Sequence, residues 1–301
     1  MLASLLSVAL CAVAVPPAGT LLTYQGEITA DEQQGVRKKV GYTVLVEAAD
    51  DKNAKVLWVV SEKGQGAWPW VEQIGQLETD ARGKIIDGRP ASVLFEHADG
   101  VSPVPLVSPI FAGPKALDDG ATWRADRLQF EVREPDDQEI AQKQWQIDVA
   151  TAIGHMRTVL VDKSTQVVTH VDEVVFMGPG KKHRLKLALL DQKQLEADEL
   201  SRARDAFAVL FELREKLDYE MQGGRVQWDE TQLATMKKAL PLIIKNVAGT
   251  PVESLALAAG AEVKLQGAVA AATEALQKQF VGKQVPKLEL KSASLSGAAL
   301  S

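Results

Sequence analysis

Four histidines, His97, His155, His170 and His183, are the residues of this 301-residue chain best suited to hold a metal or relay a proton. No two of them stand at the i, i+4 helical spacing with which paired imidazoles grip zinc. His155 and His170 lie in successive apolar-rich segments, with Asp172 and Glu173 close by. A turn centred on Lys163 and Ser164 would set His155 opposite Asp172 and Arg157 opposite His170, near enough for side chains to interact. His155, His170 and Asp172 are therefore a candidate polar cluster, weighed against an ordinary solvated sheet face. No metal ligand set is assigned.

Other patterns fall short of a catalytic site. Asp50-Asp51, Asp118-Asp119 and Asp136-Asp137 are carboxylate pairs, the currency of glycoside hydrolysis. Adjacent aspartates on extended chain point apart, and these sit beside Gly, Pro or Asn, so they read as turns. Gly178-Pro-Gly-Lys-Lys182 lacks the spacing, the hydroxyl after lysine and the following helix of a phosphate loop. No Gly-x-Ser-x-Gly elbow occurs. No catalytic residue and no cofactor are assigned; a hydrolase without a known motif stays a weak third reading.

Trp58, Trp68, Trp70, Trp123 and Trp145 all fall in the first half of the chain. Trp58 and Trp145 sit inside strand patterns and read as core, because a tryptophan buries a large area. Trp68 and Trp70 flank Pro69 in a Gly-rich corner, which makes them the candidate ligand-binding pair.

Strands must position these residues. Leu21 to Thr29 reads as a first strand. Val40, Tyr42, Val44 and Val46 alternate on a second, and Lys55 to Ser61 returns after an Asp/Asn turn. A short hairpin is expected around Asp80-Ala-Arg-Gly83, and the prolines at 103, 105, 109 and 114 predict irregular extended chain. From Gln144 to Leu190, four strand-like segments form an antiparallel meander. Helical spacing then takes over. Leu200, Ala203, Phe207, Leu210, Leu217 and Met221 fall on one face, ended by Gly223-Gly224. Asp229 with Gln232 predicts a capped second helix that Pro241 should kink or split. Thr250-Pro-Val-Glu253 predicts a third, running to about Phe280. The expected fold class is α+β: an N-terminal antiparallel β-rich domain (meander, curved sheet or partial barrel) followed by a helical segment.

Leu2 to Val13 is an apolar and small-residue run ending in Ala12-Val13-Ala14 and followed by Pro16-Pro17, the pattern of an export signal over residues 1–18. Cys11 is the chain's one cysteine and lies within it, so the mature product would carry no thiol. No other apolar run reads as a membrane span. The formal net charge of −6 argues against nucleic acid. The expectation is an exported protein, periplasmic or extracellular, with a β-rich domain at 20–190 and a helical domain at 191–281.

The tail, 282–301, carries Gly282, Val285, Pro286, Leu288, Leu290 and Gly297. It resembles the entry segment of secreted thioredoxin-like thiol–disulfide oxidoreductases and their peroxiredoxin relatives. Val161-Asp-Lys-Ser and Val175-Phe-Met-Gly178 look similar to the β-rich leader of exported bacterial proteins of that type. The resemblance implies a Cys-x-x-Cys after the next strand, and Ser301 precedes it. No redox residue is carried over, and the expectation is an N-terminal fragment. Two functions follow. One is a non-catalytic scaffold or recognition module of a thioredoxin-like redox protein, meeting a protein partner. The other is a carrier holding a lipid or another apolar envelope ligand in a curved antiparallel sheet.

Overall fold

Alternating apolar residues give the chain its first three strands, β1 (Thr20–Ala30), β2 (Arg37–Ala49) and β3 (Asn53–Lys63). In this computed structural model the described residues are 15–280, apart from 31–36, 51, 64–69, 98–99, 115–116, 153, 178–179, 218–219 and 223–224. Residues 1–14 of the expected export signal, with Cys11, and the tail 282–301, on which the expected thioredoxin-like resemblance rests, lie outside them.

The expected hairpin at Asp80–Gly83 joins β4 (Ile74–Asp80) to β5 (Ile85–Gly88). Next come β6 (Ser92–His97) and β7 (Gly100–Pro105), which pair only with each other. The strands β8 (Thr122–Ala125) and β9 (Leu128–Arg133) precede a one-turn helix, α1 (Gln138–Ala141). The meander follows as β10 (Gln144–Thr151), β11 (Gly154–Asp162), β12 (Val168–Met177) and β13 (Lys181–Gln194). All except β6 and β7 join one antiparallel sheet of eleven strands, ordered β5-β4-β3-β2-β1-β13-β12-β11-β10-β9-β8. The sheet does not close, because β5 and β8 are edges.

The first strand pairs on one side with β2 and on the other with β13, which brings the two ends of the β-rich region together at the centre of the sheet. Gly26 sits at that join. A Cβ there would lie 2.1 Å from the Lys186 carbonyl oxygen, so only glycine allows β1 and β13 to approach this closely.

Helix α2 (Ala197–Glu215), a small hairpin of β14 (Glu220–Gln222) and β15 (Arg225–Gln227), α3 (Glu230–Asn246) and α4 (Glu253–Phe280) complete the described chain. The α+β reading holds: a large antiparallel sheet, then helices. Three local expectations need correction. Met221 belongs to β14, not to the face of α2, which ends by Glu215. Of the kink or split expected at Pro241, the split is not formed: α3 runs unbroken through it, with Leu240 and Ile243 buried on either side. Helix α4 starts at Glu253; Thr250 Oγ1 donates backward to the Val247 carbonyl at 2.6 Å, while Glu253 Oε2 accepts from Gly249 N–H.

Each face of the sheet has its own core. Leu45, Leu57 and Val59 point toward the helices and pack with Phe207 and Leu210 of α2, Met236 of α3 and Ala256 and Ala259 of α4. Gly260 permits this packing, since a Cβ would come within 3.1 Å of Ile244. The other face collects Leu22, Val44, Val56, Ile147, Val159 and Leu187 into a second core shared by both wings of the sheet.

Candidate functional site

Period-two geometry sends every second residue of the sheet to the side away from the helices. Register then aligns these residues in transverse rows. One row runs from Phe130 on β9 through Val149, Arg157, Glu173, Leu185 and Ile28 to Lys38 on β2. Both wings contribute to one core on this side, and Tyr24 of β1 reaches past β13 to donate to the Val168 carbonyl of β12 at 2.8 Å. This is the face of the open sheet turned away from the helices. Among the described residues its buried lining is mostly apolar, with the Tyr24 and Tyr42 phenols, Thr79 and two ion pairs.

What covers this face is not a strand of the large sheet. The segment 89–111, which carries the β6–β7 hairpin, lies over it and buries Ala91, Val93, Val104, Leu106, Ile110 and Phe111 there. Pro90, Pro103, Pro105 and Pro109 lack the N–H that a ladder needs, so this segment cannot integrate fully into a sheet. Polar ties hold it at both ends and in the middle: Arg89 N–H donates to the Gln76 carbonyl at 3.1 Å and the Arg89 guanidinium pairs with Glu72 at 2.8 Å. Lys38 Nζ donates to the Leu94 carbonyl at 2.5 Å, and Leu94 N–H donates to Glu62 Oε1 at 3.2 Å. Lys38 and Glu62 also pair with each other, both buried. Trp58 Nε1 donates to the Arg89 carbonyl at 2.9 Å. At the far end, Val168 N–H donates to Pro109 and Phe111 N–H to Gln166.

The second ion pair, Arg157 with Glu173, joins β11 to β12 at 2.5 Å. Glu173 is 5% exposed. The contact is single, through Arg157 Nη2 and Glu173 Oε1; Arg157 Nε and Glu173 Oε2 are buried without a hydrogen-bond partner.

The expected pairing of His155 with Asp172 is not formed. Thr158 opposes Asp172, Arg157 opposes Glu173, and Leu160 opposes His170. The cause lies in the turn. Asp162 Oδ1 accepts from the N–H groups and hydroxyls of both Ser164 and Thr165, Gln166 adopts φ 55°, and Asp162 N–H pairs with the Val167 carbonyl. This widens the loop by two residues, and a bulge at Leu160/Val161 adds a third. An odd shift exchanges the faces.

His155 is exposed, with Nε2 3.2 Å from Thr158 Oγ1. The residue opposing His170 is five positions further along β11, about 16 Å of strand, so the two imidazoles do not meet. Asp172 is held by the Arg184 fork at 2.6 and 2.7 Å. Burial alone would push its carboxyl up; the guanidinium outweighs that and holds it below the ordinary range. Burial pushes the His170 imidazole down, against the pull of Asp172 and with the help of Lys186. Among the described residues no group of three His, Cys, Asp or Glu could hold a metal ion.

Trp68 lies outside the described residues. Trp70 is not at an open corner. It begins a single 3-10 turn, Trp70–Glu72, and is 1% exposed in the core between sheet and helices. Its backbone N–H donates to Glu262 of α4, which fixes the turn beneath that helix. Trp70 and Val44 therefore belong to opposite cores and line no common cavity. The acidic pairs are turn builders: Asp50 accepts from Lys52 and Asn53, and Asp137 caps α1.

The helix α4 also revises the reading of apolar runs. Over Glu253–Gln279 it is long and apolar enough to cross a membrane by length and composition. Its first half buries Leu255, Ala256, Ala259 and Val263, whereas 268–279 is exposed throughout.

No family model matches the chain, and no curated protein matches it. Among solved structures, a LolA superfamily protein from Nitrosomonas europaea is similar over 62% of this chain and 90% of its own, with 10% identity and a TM-score of 0.27. A β-barrel-like protein of a domain of unknown function from Brucella abortus is similar over 61% of this chain and 100% of its own, with 10% identity and a TM-score of 0.29. At TM-scores this low the likeness transfers neither ligand nor activity.

Proposed function

We propose that this chain is an exported carrier. On this reading the sheet curves, and its concave face, the one away from the helices, takes an elongated apolar ligand, such as an acyl chain, when the covering segment lifts away. The observation that carries this reading is the cover itself. An apolar face spanning both wings of the sheet is closed by a proline-interrupted insertion whose hairpin stands outside the strand order of the large sheet. A face sealed in this way can exchange its own cover for a ligand of similar apolarity at little net cost, because burial of hydrocarbon is not directional.

The test is uptake of a polyene fatty acid by the full chain. Saturable binding, with energy transfer from tryptophan and displacement by oleate, is expected. Lys38→Met with Glu62→Leu removes the latch on Leu94 and should tighten uptake. If neither the native chain nor the double variant takes up the probe, the carrier reading falls.

A second reading has its own support. The concave face is already packed by chain residues, which is what a scaffold or recognition module needs. On that reading the chain presents a surface to a thioredoxin-like redox protein. It predicts no uptake of the probe by either form.

A further inference from the structure

A separate cavity opens on the other face of the sheet, between strands and helices. It has a volume of about 290 Å³, at the lower edge of the range for small-molecule pockets. Its floor is sheet: Leu21 and Thr23 of β1, Thr43 of β2 and Lys193 of β13. Thr23 stands opposite Thr43, and Leu21 opposite Lys193. Its walls are Glu199, Arg202 and Ala203 of α2 and the turn Gly249-Thr-Pro251 that leads into α4.

The chemistry of this lining is mixed in a directed way. Leu21, Leu195, Ala203 and Pro251 supply apolar surface. The hydroxyls of Thr23 and Thr43 have no protein partner among the described residues, although each side chain is half-buried. Lys193 is matched by Glu199 at 2.8 Å. Arg202 makes one described hydrogen bond, from Nη2 to the Ala248 carbonyl at 3.3 Å. A guanidinium carries five donors, so most of the Arg202 fork is open to an acceptor. The lining therefore holds two cations against the one Glu199 carboxylate, the hydroxyls of Thr23 and Thr43 beside that of Thr250, which is spent on the Val247 carbonyl, and a small hydrocarbon surface.

We infer that this cavity binds a short-chain carboxylate, with the carboxylate on the Arg202 fork, the hydrocarbon against Leu21, Leu195 and Pro251, and the threonine hydroxyls meeting polar atoms of the ligand. Arg202 reads planar anions through parallel N–H donors, which an ammonium or hydroxyl ligand does not use. The volume limits the ligand to about a dozen heavy atoms, far short of the acyl chain proposed for the concave face. A ligand here would touch the sheet, α2 and the α3–α4 turn together, and so hold the helical layer to the strands.

The experiment is calorimetric titration of the full chain with hexanoate, hexanol and hexylammonium at matched ionic strength, together with thermal melts. Saturable hexanoate binding, at least about tenfold tighter than either analogue, is expected, with a rise in Tm that follows occupancy. Arg202→Gln should weaken hexanoate by about tenfold or more. Arg133→Gln, on the far wing, should leave affinity unchanged. Arg202→Lys serves where Arg202→Gln does not fold, and it too should lose affinity because the fork is gone. Equal binding of the three probes, no saturable hexanoate binding, or native affinity in the folded Arg202 variant would each overturn the assignment.

Discussion

Arg157 and Glu173 face each other across β11 and β12 on the apolar side of the sheet, joined by one bond with a free acceptor on one side and a free donor on the other. Removing one partner strands the other charge in a poor medium. Glu173→Ala should destabilise the fold by about 3 kcal/mol, whereas Arg157→Met with Glu173→Leu should come out near neutral. Urea unfolding of the two singles and the double measures this. A double variant as unstable as the worse single would show that the pair itself is required.

Tyr24 provides a second test. Its phenol donates to the Val168 carbonyl across β13, and burial, aided by the neighbouring Tyr42, raises its pKa well above the usual tyrosine value. Tyr24→Phe keeps the stacking against Tyr42 but leaves a buried carbonyl without its donor. A loss of about 1–2 kcal/mol is expected in denaturant unfolding. No loss would mean that the carbonyl finds another donor.

Gly75 lies directly under the Trp58 indole, where an added Cβ would meet ring carbon Cζ2 at 2.1 Å. Gly75→Ala must push Trp58 off its hydrogen bond to the Arg89 carbonyl, the tie at the start of the covering segment. A cost of about 1–3 kcal/mol is expected. Faster amide exchange in 89–97 than in β12 should accompany it; equal exchange in the two regions would break the link between Trp58 and the cover.

Glu262 gives a pH signature. Burial raises its pKa, against the lowering pull of the Trp70 N–H and Gln266. A carboxyl raised on folding binds its proton more tightly in the native state. Its contribution is thus fully present below the unfolded pKa and is lost as pH rises through the raised value. Glu262→Gln should therefore raise Tm at about pH 7 and leave it unchanged at about pH 3, below the unfolded carboxyl's titration. An equal gain at both pH values would point to packing instead.

Much of the architecture was legible because alternation is a direct record of the pleat. Val40, Tyr42, Val44 and Val46 share the core on the face away from the helices, as their spacing requires. Asp229 with Gln232 forms the expected reciprocal cap. The candidate sites were harder to see. Asp162 gathers four donors and widens its loop, and that turn together with the bulge at Leu160/Val161 moved the polar cluster out of register. Lys38, Glu62, Arg157 and Glu173 each share the parity of their apolar neighbours, so a charge at an inward position was the available signal. Within the covering segment Ala91 to Glu96 reads as a strand and forms β6, whereas the prolines at 103 and 105 hid its partner β7. The 290 Å³ cavity draws on β1, β2, β13, α2 and the turn before α4, parts far apart in the chain and brought together only by packing.

The pairing of β1 with β13 sets an order of events for a growing polypeptide. Tyr24 cannot meet Leu189 until nearly two-thirds of the 301 residues exist. Until then one margin of the first three strands stays open, with its amides and carbonyls unmatched and the hydrocarbon around Leu22 and Val44 without its full cover. Such a nascent chain is a natural client for a holding chaperone, and its maturation should be slow and all-or-none, limited by this one distant seam.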